Sequence, residues 1–364
     1  MRFLILSTLV LLGGCGSDHS PQPHNDGGAG QGGANSSTST GFTGDPSICG
    51  DEVHHPSNTY PLVYFVIDRS GSMLDVDAQG VRLFDRVQDA AVDLVRDLGA
   101  LVRVGAAVFP AESAQDGTEC VAGEQVYTPK LANTGAFRNA IDIPPFGGTP
   151  ISATLTALRP ILAAEPGPKA VILATDGGPN CNPDTVCTAS QCMVNIFGEC
   201  PADIDNCCDP AVGGTPLNCV DRAASISAVQ DLAMDGSLVY VVGIPGSELF
   251  AGVLDQLALN GGAPQQNSDT YYYKVQELDT LADVFREIGA SLISCTYDLA
   301  DPPEAPGKTN VYFDGEVVYQ DANNGWVWVD ADTIDLVGDA CAALKAGKVR
   351  EVQIVSGCPT ETPL

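Results

Sequence analysis

Three short segments of this chain carry oxygen ligands in an order that suits a hard metal ion. They are Asp68-Arg69-Ser70-Gly71-Ser72, Gly147-Gly148-Thr149-Pro150 and Thr175-Asp176-Gly177. Within them Asp68 and Asp176 offer two carboxylates and Ser70, Ser72 and Thr149 three hydroxyls, with no thiolate or imidazole in any of the segments. Hard oxygen donors of low formal charge suit Mg2+, which keeps several waters and accepts an outside ligand; Mn2+ and Ca2+ are the alternatives of similar chemistry. The histidines narrow the chemistry further. All four (His19, His24, His54 and His55) fall in the first 55 residues. The rest of the chain therefore lacks the group needed for a Ser–His–Asp or Cys–His nucleophile, a His-ligated zinc, or imidazole acid–base catalysis. With 46 acidic residues against 17 basic ones and a net charge of −29, the chain is also unsuited to a phosphate backbone or an anionic membrane surface.

The three segments need elements that bring them together. Leu62 to Ile67 is an unbroken apolar, β-favouring run, read as a strand buried on both faces. Phe84 to Leu98 has apolar residues at helical spacing. The same reasoning gives strands over 102–109, 170–174, 238–244 and, at an edge, 271–275. It gives helices over 149–164, 220–234, 248–259 and 278–293. Alternating strands and helices predict an α/β fold with a doubly wound, mostly parallel sheet and helices on both faces. Such sheets bind ligands beyond the carboxyl ends of their strands, where all three segments fall.

With these residues in place, the chain resembles the von Willebrand factor A (VWA) domain family over roughly residues 60 to 294, which implies a Rossmann-like VWA fold. Asp68-x-Ser70-x-Ser72, Thr149 and Asp176 match that family's metal-ion-dependent adhesion site (MIDAS). The resemblance implies direct metal bonds from Ser70, Ser72 and Thr149, with Asp68 and Asp176 acting through water or hydroxyl hydrogen bonds. It also implies a protein partner whose carboxylate fills the open coordination position. Arg69, inside the motif, is either a contact for that carboxylate or a solvated side chain. The expected role is adhesion or assembly, without enzymatic activity. The alternatives are a structural envelope protein whose metal site only stabilises the fold, and a metal-assisted hydrolase with Asp68 or Asp176 as base.

The ends of the chain add an address and a second module. Met1-Arg2, an apolar run from Phe3 to Leu12 and the small residues before Cys15 have signal-peptide proportions and resemble a bacterial lipobox, so residues 1–15 read as leader plus lipidated Cys15. Gly16 after Cys15 favours the outer membrane of the cell envelope, by resemblance to lipoprotein sorting signals. Residues 16–45 read as a disordered Gly/Ser-rich tether, in which the G-x-G-x-x-G letters at 28–33 follow no strand and mark no nucleotide site. Residues 46–294 are the A domain, with a Cys-rich insert at 178–219. Residues 295–364 read as a small β-rich module with an Asp314-Gly315 hairpin turn. Gly307-Lys308-Thr309 lacks the first glycine of a phosphate loop. Of the thirteen cysteines, twelve remain after Cys15: Cys49, Cys120, Cys181, Cys187, Cys192, Cys200, Cys207, Cys208, Cys219, Cys295, Cys341 and Cys358. In an oxidising envelope they read as up to six disulfides. Seven lie in the insert, so at least one should pair outside it, with Cys49 or Cys120 as candidates. Zinc is the alternative for that cluster. The acidic groups Asp75/Asp77 and Asp330/Asp332/Asp335 read as solvated carboxylates, with Ca2+ as the alternative.

Overall fold

The computed structural model describes residues 48–55 and 60–363. The expectations for the leader, for Cys15 and for the tether at 16–45 lie outside these residues. After β1 (Glu52–His54) come the strands of the main sheet: β2 (Leu62–Asp68), β3 (Arg103–Phe109), β4 (Glu124–Leu131), β5 (Lys169–Thr175), β6 (Ser237–Gly243) and β7 (Tyr273–Lys274). Their spatial order is β4-β3-β2-β5-β6-β7. All pairings are parallel except β3–β4. The chain builds from β2 out to β3 and β4, then returns to the other side of β2 as β5. Neighbouring strands β2 and β5 are thus where the winding changes direction, and their carboxyl ends open the crevice expected of such sheets.

The helices are α1 (Leu83–Leu98), α2 (Thr134–Ile141), α3 (Ile151–Ala163), α4 (Met193–Ile196), α5 (Arg222–Met234), α6 (Ala251–Asn260), α7 (Leu281–Leu292) and α8 (Asp339–Lys345). The two-residue period of a strand explains how they divide. Val63, Phe65 and Ile67 of β2 pack into one core with α1, α2 and α7. Leu62, Tyr64 and Val66 pack into the other with α3, α5 and α6. Both faces are covered, which is why β2 reads as a continuous apolar run rather than an alternating one. The sheet and helices match the predicted fold class. Among the elements not predicted are β4 and α2. β4 carries Pro129 and buries only Tyr127, as an edge strand can. Short α2 had one legible signal, its N-cap Asn133, whose side chain accepts from Ala136 N at 2.9 Å.

The C-terminal residues form two antiparallel sheets from β8 (Thr296–Asp298), β9 (Thr309–Phe313), β10 (Glu316–Val318), β11 (Trp326–Trp328), β12 (Thr333–Leu336) and β13 (Val352–Ser356). One is ordered β1-β13-β9-β10 and the other β11-β12-β8. β1, which precedes the main sheet in sequence and falls within the residues read as the A domain, thus belongs to a C-terminal sheet. The β9–β10 hairpin turns at Asp314 (φ +49°) and Gly315 (φ +88°), two left-handed residues as the Asp-Gly turn requires. Trp326 is buried, packs edge-on against Trp328 at 5.8 Å and donates Nε1–H to Val318 O. Val311, Trp326, Ile334 and Leu344 lie in the same core as α1 and α7, so this module packs on that side of the sheet.

Every cysteine from Cys49 on is in a disulfide: Cys49–Cys358, Cys120–Cys181, Cys187–Cys219, Cys192–Cys208, Cys200–Cys207 and Cys295–Cys341. The insert's odd cysteine pairs with Cys120. The sulfurs of Cys187, Cys208 and Cys219 lie close together but are all bonded, so they provide no thiolate for zinc. Among the described residues no helix is long and apolar enough to cross a membrane.

Cys49–Cys358 joins residues 309 apart in sequence and holds β1 to β13. Constraining so long a loop in the unfolded chain is worth about 5–6 kcal/mol in the chain-entropy account. The Cys49→Ser/Cys358→Ser variant should lose stability of that order in urea unfolding while keeping the main sheet's circular dichroism.

Candidate metal centre

Asp68 is the last residue of β2, and Asp176 follows the last residue of the neighbouring strand β5. The two carboxylates arrive side by side because parallel strands end at the same level. Asp68 is 0% exposed and Asp176 4%. Both oxygens of Asp68 accept from protein donors: Oδ1 from Ser70 N at 2.7 Å and Oδ2 from Thr175 Oγ1 at 2.5 Å. Thr175 is a partner that the sequence did not single out. Its signal was its place one residue before Asp176, on the strand beside Asp68.

The hydroxyls close the cluster. Ser70 Oγ lies 3.1 Å from Ser72 Oγ, and Ser72 Oγ donates to Asp176 Oδ1 at 2.9 Å. Thr149 is buried, and its Oγ1 stands over Gly177, 3.9 Å from where a Cβ would lie there. Ser72 is exposed and leaves the cluster open to solvent. The loops are stitched together by backbone bonds: Arg69 N to Phe109 O, Phe146 N to Arg69 O, and Gly71 N to Gly147 O. Gly147 sits at φ +87°, and a Cβ there would come within 2.7 Å of Glu119 O, so a glycine is required. All five sequence-predicted ligand residues therefore meet in one place. Adjacent ligands of an octahedral Mg2+, with bonds of about 2.1 Å, stand about 3 Å apart. The Ser70–Ser72 spacing fits that value, and Ser70, Ser72, Thr149, Asp68 and Asp176 could hold such an ion.

The electrostatics favour the same fit. Burial pushes Asp68 up to about 6, against the lowering effect of its bonds from Thr175 and Ser70. Burial, then the charge of Asp68, pushes Asp176 up to about 8, and Asp75 adds to the rise. Two buried carboxylates disfavour each other's ionisation, and an added cation relieves both.

Arg69 corrects the sequence reading, which had it either at a ligand or in solvent. It is 3% exposed. Its guanidinium donates to Pro110 O at 2.9 Å, Ala111 O at 2.7 Å and Pro144 O at 2.8 Å. Burial lowers its pKa. Arg69 is a strut between the loop after β3 and the loop that carries Gly147. Of the other acidic groups, Asp75 reaches the centre through its charge on Asp176, while the rest have settings of their own. Asp77 accepts from Gln79 N and Val81 N and pairs with Arg86. Asp330 and Asp332 are exposed, and Asp335 accepts from Thr296 Oγ1.

The insert lies beside the centre. Asn180 accepts Thr149 N on Oδ1 at 2.7 Å and donates its own N–H to Thr149 O at 3.0 Å. Asn180 was not predicted, and nothing in its spacing marked it.

A family model described as the von Willebrand factor type A domain matches residues 63–287. No curated protein matches the chain. Among solved structures, the chain is similar to the pilus adhesin SpaC from Lactobacillus rhamnosus GG at 16% identity, over 83% of this chain and 40% of that one, with a TM-score of 0.47. It thus spans about two-fifths of that protein's length. It is similar to the vWF domain of the type V pili tip protein Mfa5 from Porphyromonas gingivalis at 15% identity, over 65% and 95%, TM-score 0.45. It is also similar to the PilB minor pilin from Streptococcus sanguinis at 18% identity, over 66% and 63%, TM-score 0.44.

Two outcomes follow from this geometry. Arg69→Ala strips three carbonyls of their donor and should cost about 3 kcal/mol in urea unfolding, and Arg69→Lys should not restore it, because one ammonium cannot reproduce the planar fork. The raised carboxylates make the folded state hold protons that the unfolded chain has released. In EDTA, the stability they contribute is therefore present below about pH 4 and lost as pH rises through about 6 and then 8. Tm measured in EDTA from pH 5 to 8 should fall more steeply for the wild type than for Asp68→Asn/Asp176→Asn, and added Mg2+ should raise the wild-type Tm most at pH 8.

Proposed function

Because the chain belongs to the von Willebrand factor type A family, we propose that it binds a protein partner through a divalent ion held by Ser70, Ser72, Thr149, Asp68 and Asp176, in an adhesion or assembly role at the bacterial cell envelope. The single observation that carries this reading is the convergence of five hard oxygen donors from three loops, two of them buried carboxylates. Ser70, Ser72 and Thr149 would bind the ion directly. Asp68, with both oxygens already accepting from protein donors, would act from behind the serines. The ion would supply a Lewis-acid position for a carboxylate of the partner. Mg2+ is the favoured ion on ligand hardness, with Mn2+ and Ca2+ as alternatives. The site would bind rather than turn over: it has no histidine and no second carboxylate-rich metal position to activate a nucleophile. A lipidated Cys15 and the 16–45 tether would hold the domain on the outer membrane.

Two measurements test the reading. Mg2+ or Mn2+ titrated calorimetrically into residues 46–364, oxidised, should bind saturably to the wild type and lose at least tenfold in affinity in Asp68→Ala or Thr149→Ala. In pull-downs from the organism's own envelope and matrix fraction, a partner should be retained by the wild type in Mg2+, and released by EDTA or by Asp68→Ala. Metal binding with no metal-dependent partner would leave a site that only stabilises the fold, and equal retention in EDTA would move partner binding elsewhere on the protein.

A further inference from the structure

Thr149 is the ligand farthest from the sheet's own support. Asp68 and Asp176 are fixed by the ends of β2 and β5, and Ser70 and Ser72 by the turn that Asp68 caps. Thr149 instead follows two consecutive glycines, and glycines are the residues that restrain a backbone least. Beyond the bonds that Gly147 and Phe146 make with the loop after β2, its restraint comes from two other loops. On one side Gly148 N donates to Glu119 O at 3.0 Å. On the other, Asn180 forms the two-way bond with the Thr149 backbone. The residues next in sequence to these two clasps, Cys120 and Cys181, are joined by a disulfide. That disulfide lies directly against the ligand loop. A Cβ built on Gly148 would come within 2.5 Å of Cys181 Sγ, 3.1 Å of Asn180 Oδ1 and 3.5 Å of Cys120 Sγ.

The clasp is itself anchored. Cys181 is held at φ +73°, a left-handed conformation that a non-glycine residue rarely adopts. Its N–H donates to Leu217 O at 2.9 Å, and Asp221 N donates to Pro179 O at 2.8 Å. Buried Asp221 accepts from Asn182 Nδ2 at 3.0 Å and from Ser152 Oγ in the first turn of α3. The opening and closing residues of the Cys-rich insert are therefore bonded to each other and to the helix that Thr149 leads into.

We propose that Asn180 and the Cys120–Cys181 disulfide are positioning groups that hold the Thr149 hydroxyl where it can ligate, so that cation affinity depends on a covalent brace lying outside the ligand motif. This rests on the metal-binding reading above. It also gives the insert a role in the centre. The insert's first residues complete the ligand loop's support, and the other three disulfides at 187–219 stabilise the insert itself. The same brace makes the metal centre a property of the oxidised protein.

The test uses the full chain with its disulfides formed, Mn2+ titrated calorimetrically, and Tm in EDTA recorded alongside. Cys120→Ser/Cys181→Ser should weaken Mn2+ binding at least tenfold, and Asn180→Ala, which keeps all disulfides, severalfold. Cys200→Ser/Cys207→Ser should lower Tm but leave Mn2+ affinity within twofold of wild type. On a Thr149→Ala background, removing the Cys120–Cys181 bond should weaken binding no further, because its effect runs through that hydroxyl. Wild-type binding that persists within twofold in both Cys120→Ser/Cys181→Ser and Asn180→Ala overturns the brace alone. So does equal weakening by the Cys200/Cys207 control, or an additive loss on the Thr149→Ala background. A wild type that binds no Mn2+ overturns the metal reading, and the brace with it.

Discussion

The organising constraint is the burial of two carboxylates at the ends of adjacent parallel strands. Asp68 and Asp176 cannot be far apart, because β2 and β5 are in register from Leu62↔Lys169 to Ile67↔Ala174. Neither can spread its charge into water. The protein answers with donors: Ser70 N and the Thr175 hydroxyl on Asp68, and the Ser72 hydroxyl on Asp176. These are neutral groups, and they leave two carboxyls that disfavour each other's ionisation in a poorly solvated place. The one guanidinium within the motif, Arg69, is held on three carbonyls instead. A divalent ion is the proposed complement, and the Ser70–Ser72 spacing is of the size such an ion imposes on its ligands.

Around this centre the sheet and the disulfides act on different parts of the chain. The six-stranded sheet sets the level at which loops emerge, and its two apolar faces supply the stability. Disulfides fix what the sheet does not reach. Cys120–Cys181 connects the loop after β3 with the start of the insert, and three further bonds close the insert on itself. On the α1 and α7 side, Cys295–Cys341 links the chain just after α7 to α8, and Cys49–Cys358 returns the last residues to β1. His54 illustrates how polar groups enter that module: it is buried, with Nδ1 at 2.7 Å from Asp301 O and Nε2 at 2.8 Å from Ser356 Oγ. It is a satisfied core histidine of the C-terminal sheet.

Much of the fold was legible because its signals are local. β2 and β5 are apolar on both faces, so their runs are unbroken. α1 and α7 carry one apolar stripe each. Asp314-Gly315 names its own hairpin turn. β4 was not legible: an edge strand with Pro129 and one buried side chain has too little pattern to stand out. β1 was not legible either, because three residues make a strand only when β13, some 300 residues later, supplies the partner.

The candidate site divides along the same line. The sequence by itself picked out the five proposed ligand residues, since donor type, order and position at strand ends are all written locally, and it left no histidine within the three segments that carry them. It also determined that the insert's odd cysteine must look outside. Only the tertiary structure decided which cysteine answers, that Asn180 clasps Thr149, that Thr175 bonds Asp68, and that Arg69 is a buried strut. Each of these is a contact between segments distant in sequence or a choice of side-chain direction. Such contacts follow from how loops pack once the sheet has formed, and no local pattern of residue types encodes them.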